Sequence, residues 1–318
     1  MTDSSGTRKV PPAAPLDPNG GRGAGREAGA EHEAGAEHEA HGPGDLTDDL
    51  GRRPWLVLGG GGLKGLAHVG AHEALREAGV RPVGIVGTSI GALVGACFAA
   101  GLGWRELAPV AFALERGDIA RINRRALLLN GIRQESLLLG EPLRAYIRAV
   151  LPVRDWDELE IPLQVNAVDL ETGETVWFGP GADTSVSLED ALYASAALPV
   201  LYPPIQVGGR TLVDGGVEFT LGLARAEAQG ASGIVAIDVG SGKRSHPDRV
   251  REQGMVAIHQ RIFSIMAWRS RSREVAGWDG VPLMYVRPRL DGYGTFDFHE
   301  IRYFLEEGYR ATRACLQG

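Results

Sequence analysis

The sequence predicts an α/β protein whose mainly parallel sheet is covered by helices on both faces. Two strand-turn-helix units follow each other near the start of the folded part, with apolar strand-type runs at 54–58 and 83–86. Repeated units of this kind are typical of parallel sheets, because each helix carries the chain back to the edge where the next strand begins. The run at 234–239 is predicted to be a further buried strand.

The 318 residues are 44% hydrophobic and 23% charged, which permits one large domain or two small ones. Residues 1–50 are rich in Gly, Ala, Pro, Glu and His, and a hexamer at 27–32 repeats at 33–38. Such a segment buries too little apolar surface to offset its ordering entropy, so we expect a disordered tail. The folded domain is predicted to span 51–318.

Charge and cysteine content argue against several classes of protein. Most of the net charge of −7 comes from the tail, because residues 51–318 contain 29 basic and 30 acidic side chains. The folded part lacks the dense basic patch that nucleic-acid binding requires, so no nucleic-acid partner is expected. Cys97 and Cys315 imply no disulfide framework. The first residues show no basic segment followed by an apolar run, and no run of eighteen apolar residues occurs in the sequence. We expect a soluble, cytoplasmic protein.

Turn and cap signals divide the chain from residue 104 onward. Residues 104–151 are predicted to be helical and loop-like, and the apolar clusters at 126–129 and 137–139 are either core or a lid over an apolar substrate. Two hairpins are predicted: 163–168 with 175–178, and 205–207 with 210–213 across Gly208-Gly209. A helix capped by Ser187 and Asp190 is predicted to run to Ala197. The remaining predictions are a strand at 283–286 and helices at 255–275 and 298–316.

Gly87-Thr88-Ser89-Ile90-Gly91 joins the second predicted strand to its helix. This G-x-S-x-G pattern is typical of a nucleophile elbow, in which a tight turn lifts a serine hydroxyl out of the backbone. Gly87 and Gly91 give that turn the clearance it needs. The pattern alone is equally compatible with Ser89 as a cap of the following helix, so other parts of the chain must decide.

A glycine-rich turn, 59–65, links the first strand to the first helix. Its spacing resembles a dinucleotide fingerprint, but the acidic residue that should follow about twenty positions later is missing. A Walker phosphate loop does not fit either, because Lys64 precedes the last glycine. Free amides at a helix start favour negative charge, so the loop could hold the oxyanion of an acyl-transfer intermediate.

A serine nucleophile needs an adjacent base. Outside the tail, the histidines lie in helix or loop patterns: His68, His72, His246, His259 and His299. Asp214, by contrast, ends a strand, and Gly215 and Gly216 allow another segment to approach it closely. We infer a Ser-Asp dyad, and we expect partial desolvation to raise the pKa of the carboxyl group and make it a better base.

Three motifs in this order resemble the patatin-like phospholipase family: Gly60-Gly61-Gly62-Leu63-Lys64-Gly65, Gly87-Thr88-Ser89-Ile90-Gly91 and Asp214-Gly215-Gly216. The segment 194–199, together with 202–204, is also similar to the one that precedes the family's aspartate. The resemblance covers roughly 53–240 and implies a three-layer α/β/α sandwich. It implies Ser89 as the nucleophile, Asp214 as the base, and an oxyanion hole formed by Gly60, Gly61, Gly62, Lys64 and Gly65.

The implied reaction is hydrolysis of carboxylic esters of phospholipids or lysophospholipids through an acyl-enzyme, without a metal or organic cofactor. The chain departs from the family at 217–222, where an asparagine and a proline often occur. A catalytically weak lipid-binding or regulatory protein of the same fold therefore stays open as an alternative, with a dinucleotide-dependent oxidoreductase as a remote one. The tail histidines could bind a metal weakly, or they are simply solvated: His32, His38 and His41.

The predicted helix at 255–275 suggests transient contact with a membrane surface. Its apolar side chains recur at helical spacing, with basic residues close by, an arrangement that could rest on anionic lipid. Packing against the sheet is the expected role of the same residues. The residues concerned are Ile258, Ile262, Ile265 and Met266, and Arg261, Arg269, Arg271 and Arg273.

Overall fold

A computed structural model describes residues 50–124, 134–242 and 254–318. The predicted tail before Leu50, the apolar cluster at 126–129 and His246 lie outside the described residues. The strands are β1 Pro54–Leu58, β2 Gly84–Gly87, β3 Leu163–Asp169, β4 Thr175–Phe178, β5 Ile205–Val207, β6 Arg210–Asp214, β7 Gly233–Ile237 and β8 Leu283–Val286.

The strands form one eight-stranded sheet in the order β5-β6-β3-β2-β1-β7-β8, with β4 also paired to β3. The run from β3 through β2, β1 and β7 to β8 is parallel throughout. The pairs β3–β4, β3–β6 and β5–β6 are antiparallel. The predicted mainly parallel sheet is therefore confirmed, and the antiparallel pairs gather at the end of the sheet where the predicted hairpins lie.

Helices cover both faces of this sheet. Along β1, Leu56 and Leu58 join one buried apolar cluster while Trp55 and Val57 join another, as the alternation of side chains along a strand requires. This gives the three-layer α/β/α architecture. The helices are α1 Ala67–Glu77, α2 Ile90–Ala99, α3 Trp104–Ala113, α4 Arg116–Ile119, α5 Gly140–Val150, α6 Leu188–Ala196, α7 Leu223–Ala228, α8 Gly254–Ala276 and α9 Ile301–Gln317, with 3-10 turns at Gly62–Leu66, Trp156–Glu158, Gly215–Val217 and Phe298–Glu300.

Local signals placed the hairpins and the cap correctly. Gly208 and Gly209 both have positive φ, 59° and 73°, which is what a two-residue turn of the primed type requires between β5 and β6. The Ser187 side chain accepts a hydrogen bond from the Asp190 N–H at the start of α6, as predicted. In the predicted lid or core cluster at 137–139, Leu138 is buried and Leu139 is 39% exposed, so Leu138 belongs to the core.

Helix α8 packs less closely than predicted. Of its 23 residues only Ala267 and Arg271 are fully buried, so packing against the sheet does not explain most of its length. Arg271, which the sequence grouped with basic residues near a lipid surface, instead lies 2% exposed inside the protein, and that prediction was wrong. Among the described helices, none is long and apolar enough to cross a membrane.

Strand register brings Asp214 to the level of the turn that follows β2. Gly87 at the end of β2 is paired with Val165 of β3, and Ala167, two residues further along β3, is paired with Asp214. Because β6 runs antiparallel to β3, it ends close to where β2 ends. Two segments that are remote in sequence therefore meet at this edge of the sheet.

Candidate active site

Ser89 stands in the turn between β2 and α2 with φ of 57°, a left-handed conformation that non-glycine residues seldom adopt. Its side chain makes no cap hydrogen bond to the helix that follows. The alternative in which Ser89 caps α2 is therefore wrong. A strained residue of this kind persists only when its surroundings enforce it, and it is often associated with function.

Gly87 and Gly91 enforce this turn by the absence of side chains. A Cβ atom added to Gly87 would lie 2.5 Å from Cα of Ala92, and one added to Gly91 would lie 2.2 Å from the carbonyl oxygen of Leu58. Both contacts are with backbone atoms, which cannot move aside as a flexible side chain can. The predicted clearance role of the two glycines thus agrees with the packing of the turn.

Ser195, near the end of α6, holds the same turn from the other side. Its hydroxyl oxygen accepts a hydrogen bond from the backbone N–H of Ser89 at 2.8 Å, and Ser195 is fully buried. Sequence reasoning did not assign Ser195 a role. The sequence pointed to Ser195 only through the resemblance of segment 194–199 to the family. No local pattern shows which backbone group a buried serine will contact.

Asp214 ends β6 and is 1% exposed. Its Oδ1 accepts a hydrogen bond from the Gly216 N–H at 2.7 Å. Burial raises the pKa of the carboxyl group from 3.8 to about 7, although the neighbouring Ser89 hydroxyl and the Gly216 N–H lower it. Oδ2 has no partner at ordinary hydrogen-bond geometry in the described part of the chain, so the approach of Ser89 is looser than a regular hydrogen bond.

The loop after Asp214 is fixed by Asn166 of β3. The Asn166 side-chain amide donates to the carbonyl oxygens of Phe219, at 3.0 Å, and Gly215, at 3.3 Å. A Cβ atom on Gly215 would lie 2.4 Å from the Asn166 side chain, which explains why glycine is needed there. The segment that departs from the family pattern is therefore held in place, and within it Thr220 and Leu221 are buried.

The glycine-rich loop after β1 lies against the serine turn. A Cβ atom on Gly60 would be 3.2 Å from Cβ of Ser89, and one on Gly65 would be 2.2 Å from the Ile90 side chain. The backbone N–H groups of Gly60 and Gly61 make no hydrogen bond within the described residues. Gly60 therefore lies beside Ser89, and the unpaired N–H groups of Gly60 and Gly61 belong to residues that line the same cavity as Ser89.

His68 of α1 forms a hydrogen bond with the carbonyl oxygen of Gly59, which lies 2.9 Å from Nε2. His68 is fully buried, and burial lowers the pKa of its imidazole to about 4. His72, one turn further, stacks on Phe98 with ring centroids 4.0 Å apart. Both residues lie on the predicted helix, but the contact of His68 with the loop could not be foreseen from sequence.

Lys64 is buried in the same loop and lines the cavity. Its ammonium group donates to Oγ of Ser241 at 2.5 Å and to the carbonyl oxygen of Tyr293 at 3.4 Å. Burial, followed by repulsion from Arg271, lowers the pKa of Lys64 to about 8. Arg271 in turn forms a buried ion pair with Asp238, with Nε 2.9 Å from Oδ1.

A cavity of about 120 Å³ opens beside Ser89 and Asp214. Most of its wall is apolar, which suits a hydrocarbon chain, while Lys64, Ser241 and Arg271 supply charge and polarity. No described histidine lines it, so neither His259 nor His299 is placed to activate Ser89. The apolar lining includes Ile90, Leu93, Ile119, Leu143, Leu198, Phe263 and Phe296.

Among the described residues, no group of three or more His, Cys, Asp or Glu side chains is placed to hold a metal ion.

The serine turn, the buried carboxyl group and the amide loop converge at one edge of the parallel sheet. This is the kind of arrangement that serine acyl hydrolases of α/β fold use.

Comparison with known proteins agrees with this class. The model of the patatin-like phospholipase family matches residues 56–225, just over half of the chain. The chain belongs to the patatin-like phospholipase family.

Individual relatives are similar over different lengths. An NTE family protein of Mycobacterium tuberculosis is 36% identical over 202 residues, which is 64% of this chain and 53% of that protein. Lysophospholipase nte1 of Emericella nidulans is 30% identical over 288 residues, 84% of this chain and 18% of that protein. VipD from Legionella pneumophila shows 16% identity and a TM-score of 0.45, covering 83% of this chain and 66% of that one. The chain therefore spans about half the length of the mycobacterial relatives it matches.

Proposed function

We propose that this protein hydrolyses carboxylic ester bonds of phospholipids or lysophospholipids with a Ser89–Asp214 dyad. The observation that carries the proposal is the position of Ser89. It stands in a strained turn beside a buried carboxyl group and two unpaired amides, at the wall of an apolar cavity. Membership of the patatin-like phospholipase family supports the same chemistry.

In the first step the Asp214 carboxylate takes the proton of the Ser89 hydroxyl as Oγ attacks the ester carbonyl carbon. Oδ2 is the oxygen available for this, because Oδ1 is already bound to Gly216. The raised pKa of Asp214 suits a general base that works near neutral pH. Catalytic hydrogen bonds are often long without substrate, so the loose Ser89 contact is compatible with this role.

The amides of Gly60 and Gly61 receive the oxyanion that develops on the carbonyl oxygen. Collapse of the tetrahedral intermediate breaks the ester C–O bond, and the departing alcohol takes the proton from Asp214. Water then attacks the acyl-enzyme with Asp214 again accepting a proton, and the fatty acid is released as Ser89 recovers its own. Each amide donor of this type contributes about 3 kcal/mol to the barrier reduction.

The cavity supports the proposed substrate class. Its apolar lining fits an acyl chain, and the polar side chains of Lys64, Ser241 and Arg271 lie in the same wall. A lipid ester combines an apolar chain with a polar head, so phospholipids and lysophospholipids are the expected substrates. The Emericella nidulans relative, a lysophospholipase, supports this choice.

Hydrolysis of a lysophospholipid and a short-chain ester, followed by mass spectrometry of the products, tests the proposal. We expect Ser89→Ala and Asp214→Asn to abolish turnover of both substrates, while Ser185→Ala and Asp157→Asn, at exposed positions, leave it unchanged. Activity that survives the first two substitutions would contradict the dyad.

A fluorophosphonate probe separates the enzyme from a lipid-binding protein of the same fold. An activated Ser89 reacts with the probe and gains its mass, and the adduct maps to the peptide containing Ser89. A folded chain that binds lysophospholipid yet leaves Ser89 unlabelled would favour the lipid-binding alternative.

A further inference from the structure

Helix α8 forms part of the cavity wall and presents two different faces. One face lines the cavity with mostly polar or small side chains: Gln260, Phe263, Ser264, Ala267 and Arg271. The other face carries exposed apolar side chains one helical turn apart: Met255 at 81%, Ile258 at 43%, Ile262 at 52% and Met266 at 51% exposure. Their spacing of three and four residues places them in one stripe along the helix.

This apolar stripe of α8 continues into basic side chains. Arg269 and Arg273 follow Met266 at the same spacing, and both are exposed. Neither forms an ion pair with an acidic side chain in the described part of the chain. An apolar stripe that continues into unpaired arginines is typical of helices that lie in the interface of an anionic membrane.

The C-terminal half of α8 is firmly attached to the domain. Glu274 accepts hydrogen bonds from the N–H groups of Gly222, at 2.9 Å, and Leu223, at 2.6 Å. Arg271 is paired with Asp238, and the Ser270 hydroxyl donates to the carbonyl oxygen of Glu218 at 2.7 Å. These contacts hold α8 in a fixed position on the domain. Anything that binds its outer face therefore lies at a fixed distance from the cavity.

We propose that the apolar stripe of α8, with Arg269 and Arg273, docks on the surface of an anionic phospholipid bilayer. This rests on the proposed function, because a bilayer holds the lipid esters that the cavity is expected to accept. The arginines match the negative charge of the lipid head groups, and the four apolar side chains enter the boundary between head groups and acyl chains. Docking brings the Gln260–Arg271 side of the helix, and the cavity wall it forms, next to the source of substrate.

Co-sedimentation with vesicles tests the docking surface without relying on catalysis. Vesicles of phosphatidylcholine, with and without an equal share of phosphatidylglycerol, are mixed with the wild-type chain and its variants. We expect binding to the anionic vesicles, a loss of about tenfold or more for Ile258→Glu/Ile262→Glu, and about fivefold per arginine for Arg269→Gln and Arg273→Gln. Leu170→Glu is the matched control, because Leu170 is 60% exposed but lies in the β3–β4 turn away from the cavity.

Turnover of a short-chain soluble ester by the same variants keeps this proposal distinct from the proposed hydrolase activity. The stripe variants should hydrolyse that ester like the wild type, and should lose activity only toward lipid in vesicles. Wild-type binding that the glutamate and glutamine substitutions leave unchanged would overturn the docking proposal, even if the esterase activity is present. Sedimentation velocity supplies a second outcome against it: a dimer that Ile262→Glu dissociates, with no vesicle binding, would show that a second copy covers the stripe.

Discussion

His68 donates a hydrogen bond from Nε2 to the carbonyl oxygen of Gly59, with the two atoms 2.9 Å apart. A carbonyl oxygen can only accept, so Nε2 carries the proton and the neutral imidazole leaves Nδ1 without one. The contact ties α1 to the start of the loop whose Gly60 and Gly61 amides remain unpaired. His68 is thus a positioning residue for the amides that we propose as the oxyanion hole.

Substituting His68 tests this relationship. His68→Leu removes the donor, and we expect kcat/KM to fall about 10- to 100-fold, mainly through kcat, because small displacements of catalytic groups have effects of this size. His68→Gln keeps an amide donor at similar reach and should recover most of the activity. Thermal unfolding of both variants provides the control. Equal loss of activity in the two variants at similar stability would contradict a role for the hydrogen bond.

The pH dependence of kcat/KM should report the titration of Asp214. In the proposed mechanism the carboxylate is the active form of Asp214, and burial raises its pKa to about 7. We therefore expect kcat/KM to rise about tenfold per pH unit below 7 and to level off above it. The profile is measured with a short-chain ester over the range in which the protein stays folded. A midpoint near the ordinary carboxyl pKa would contradict the raised pKa of Asp214. Burial lowers the pKa of the His68 imidazole to about 4, which is well below the expected midpoint.

The same carboxyl group should make the wild-type protein less stable as the pH rises. In the unfolded chain Asp214 titrates at about 3.8 and in the folded protein at about 7, so the folded state binds the proton more tightly. The free energy of unfolding consequently falls between pH 4 and pH 7 and stays low above it. Asp214→Asn removes the buried charge and should stabilise the inactive protein by up to about 4 kcal/mol at pH 8.

Urea unfolding of wild type and Asp214→Asn at pH 5 and pH 8 measures this difference. The gap in unfolding free energy between the two proteins should be clearly larger at pH 8 than at pH 5. A gap that does not change with pH would mean that Asp214 is not held in a desolvated site. Ser89→Ala, which we also expect to be inactive, serves as a second variant in which the buried carboxyl group is retained.

The serine turn should not tolerate a methyl group at Gly91. Its Cβ atom would lie 2.2 Å from the carbonyl oxygen of Leu58 and 2.8 Å from that of Gly59, both in the backbone. We expect Gly91→Ala to lower the free energy of unfolding by about 3 kcal/mol or more and to abolish fluorophosphonate labelling. Gly117→Ala is the control, because no atom lies within 4 Å of its added Cβ, and its effect should stay within about 0.5 kcal/mol. Normal labelling of Gly91→Ala would contradict this prediction, because it would show that the turn accommodates the methyl group and keeps Ser89 reactive.

Local pattern was sufficient for most of the elements. The Gly208-Gly209 turn and the Ser187 cap depend on the conformational preferences of a few consecutive residues, so the sequence predicts them directly. The ends of several strands differ slightly from the predicted ends. The second strand was predicted at 83–86 and is found at Gly84–Gly87, because the last residue of a strand depends on its partner in the sheet.

The orientation of α8 also depends on contacts that the local sequence does not show. Apolar residues occur on both of its faces, so periodicity could not indicate which face packs inward. The sequence also placed Arg271 with the surface arginines, whereas the structure buries it against Asp238, which directly follows β7 and lies 33 residues away in the chain. A buried ion pair of this kind leaves no local signal, because each partner alone resembles an ordinary surface charge.

The sequence by itself determined the class of fold, most of the strands, both hairpins and the capped helix. It also identified a serine turn, a glycine loop and an Asp-Gly-Gly segment as candidates for one site. Those features arise from backbone sterics and apolar spacing within short windows. Only the tertiary structure decided that Asp214 meets Ser89 through the register of β3, that Ser195 and His68 hold the two loops, and that α8 turns its apolar stripe to solvent. These outcomes depend on contacts between residues far apart in the chain, whose energies are set by burial and register rather than by local conformational preference.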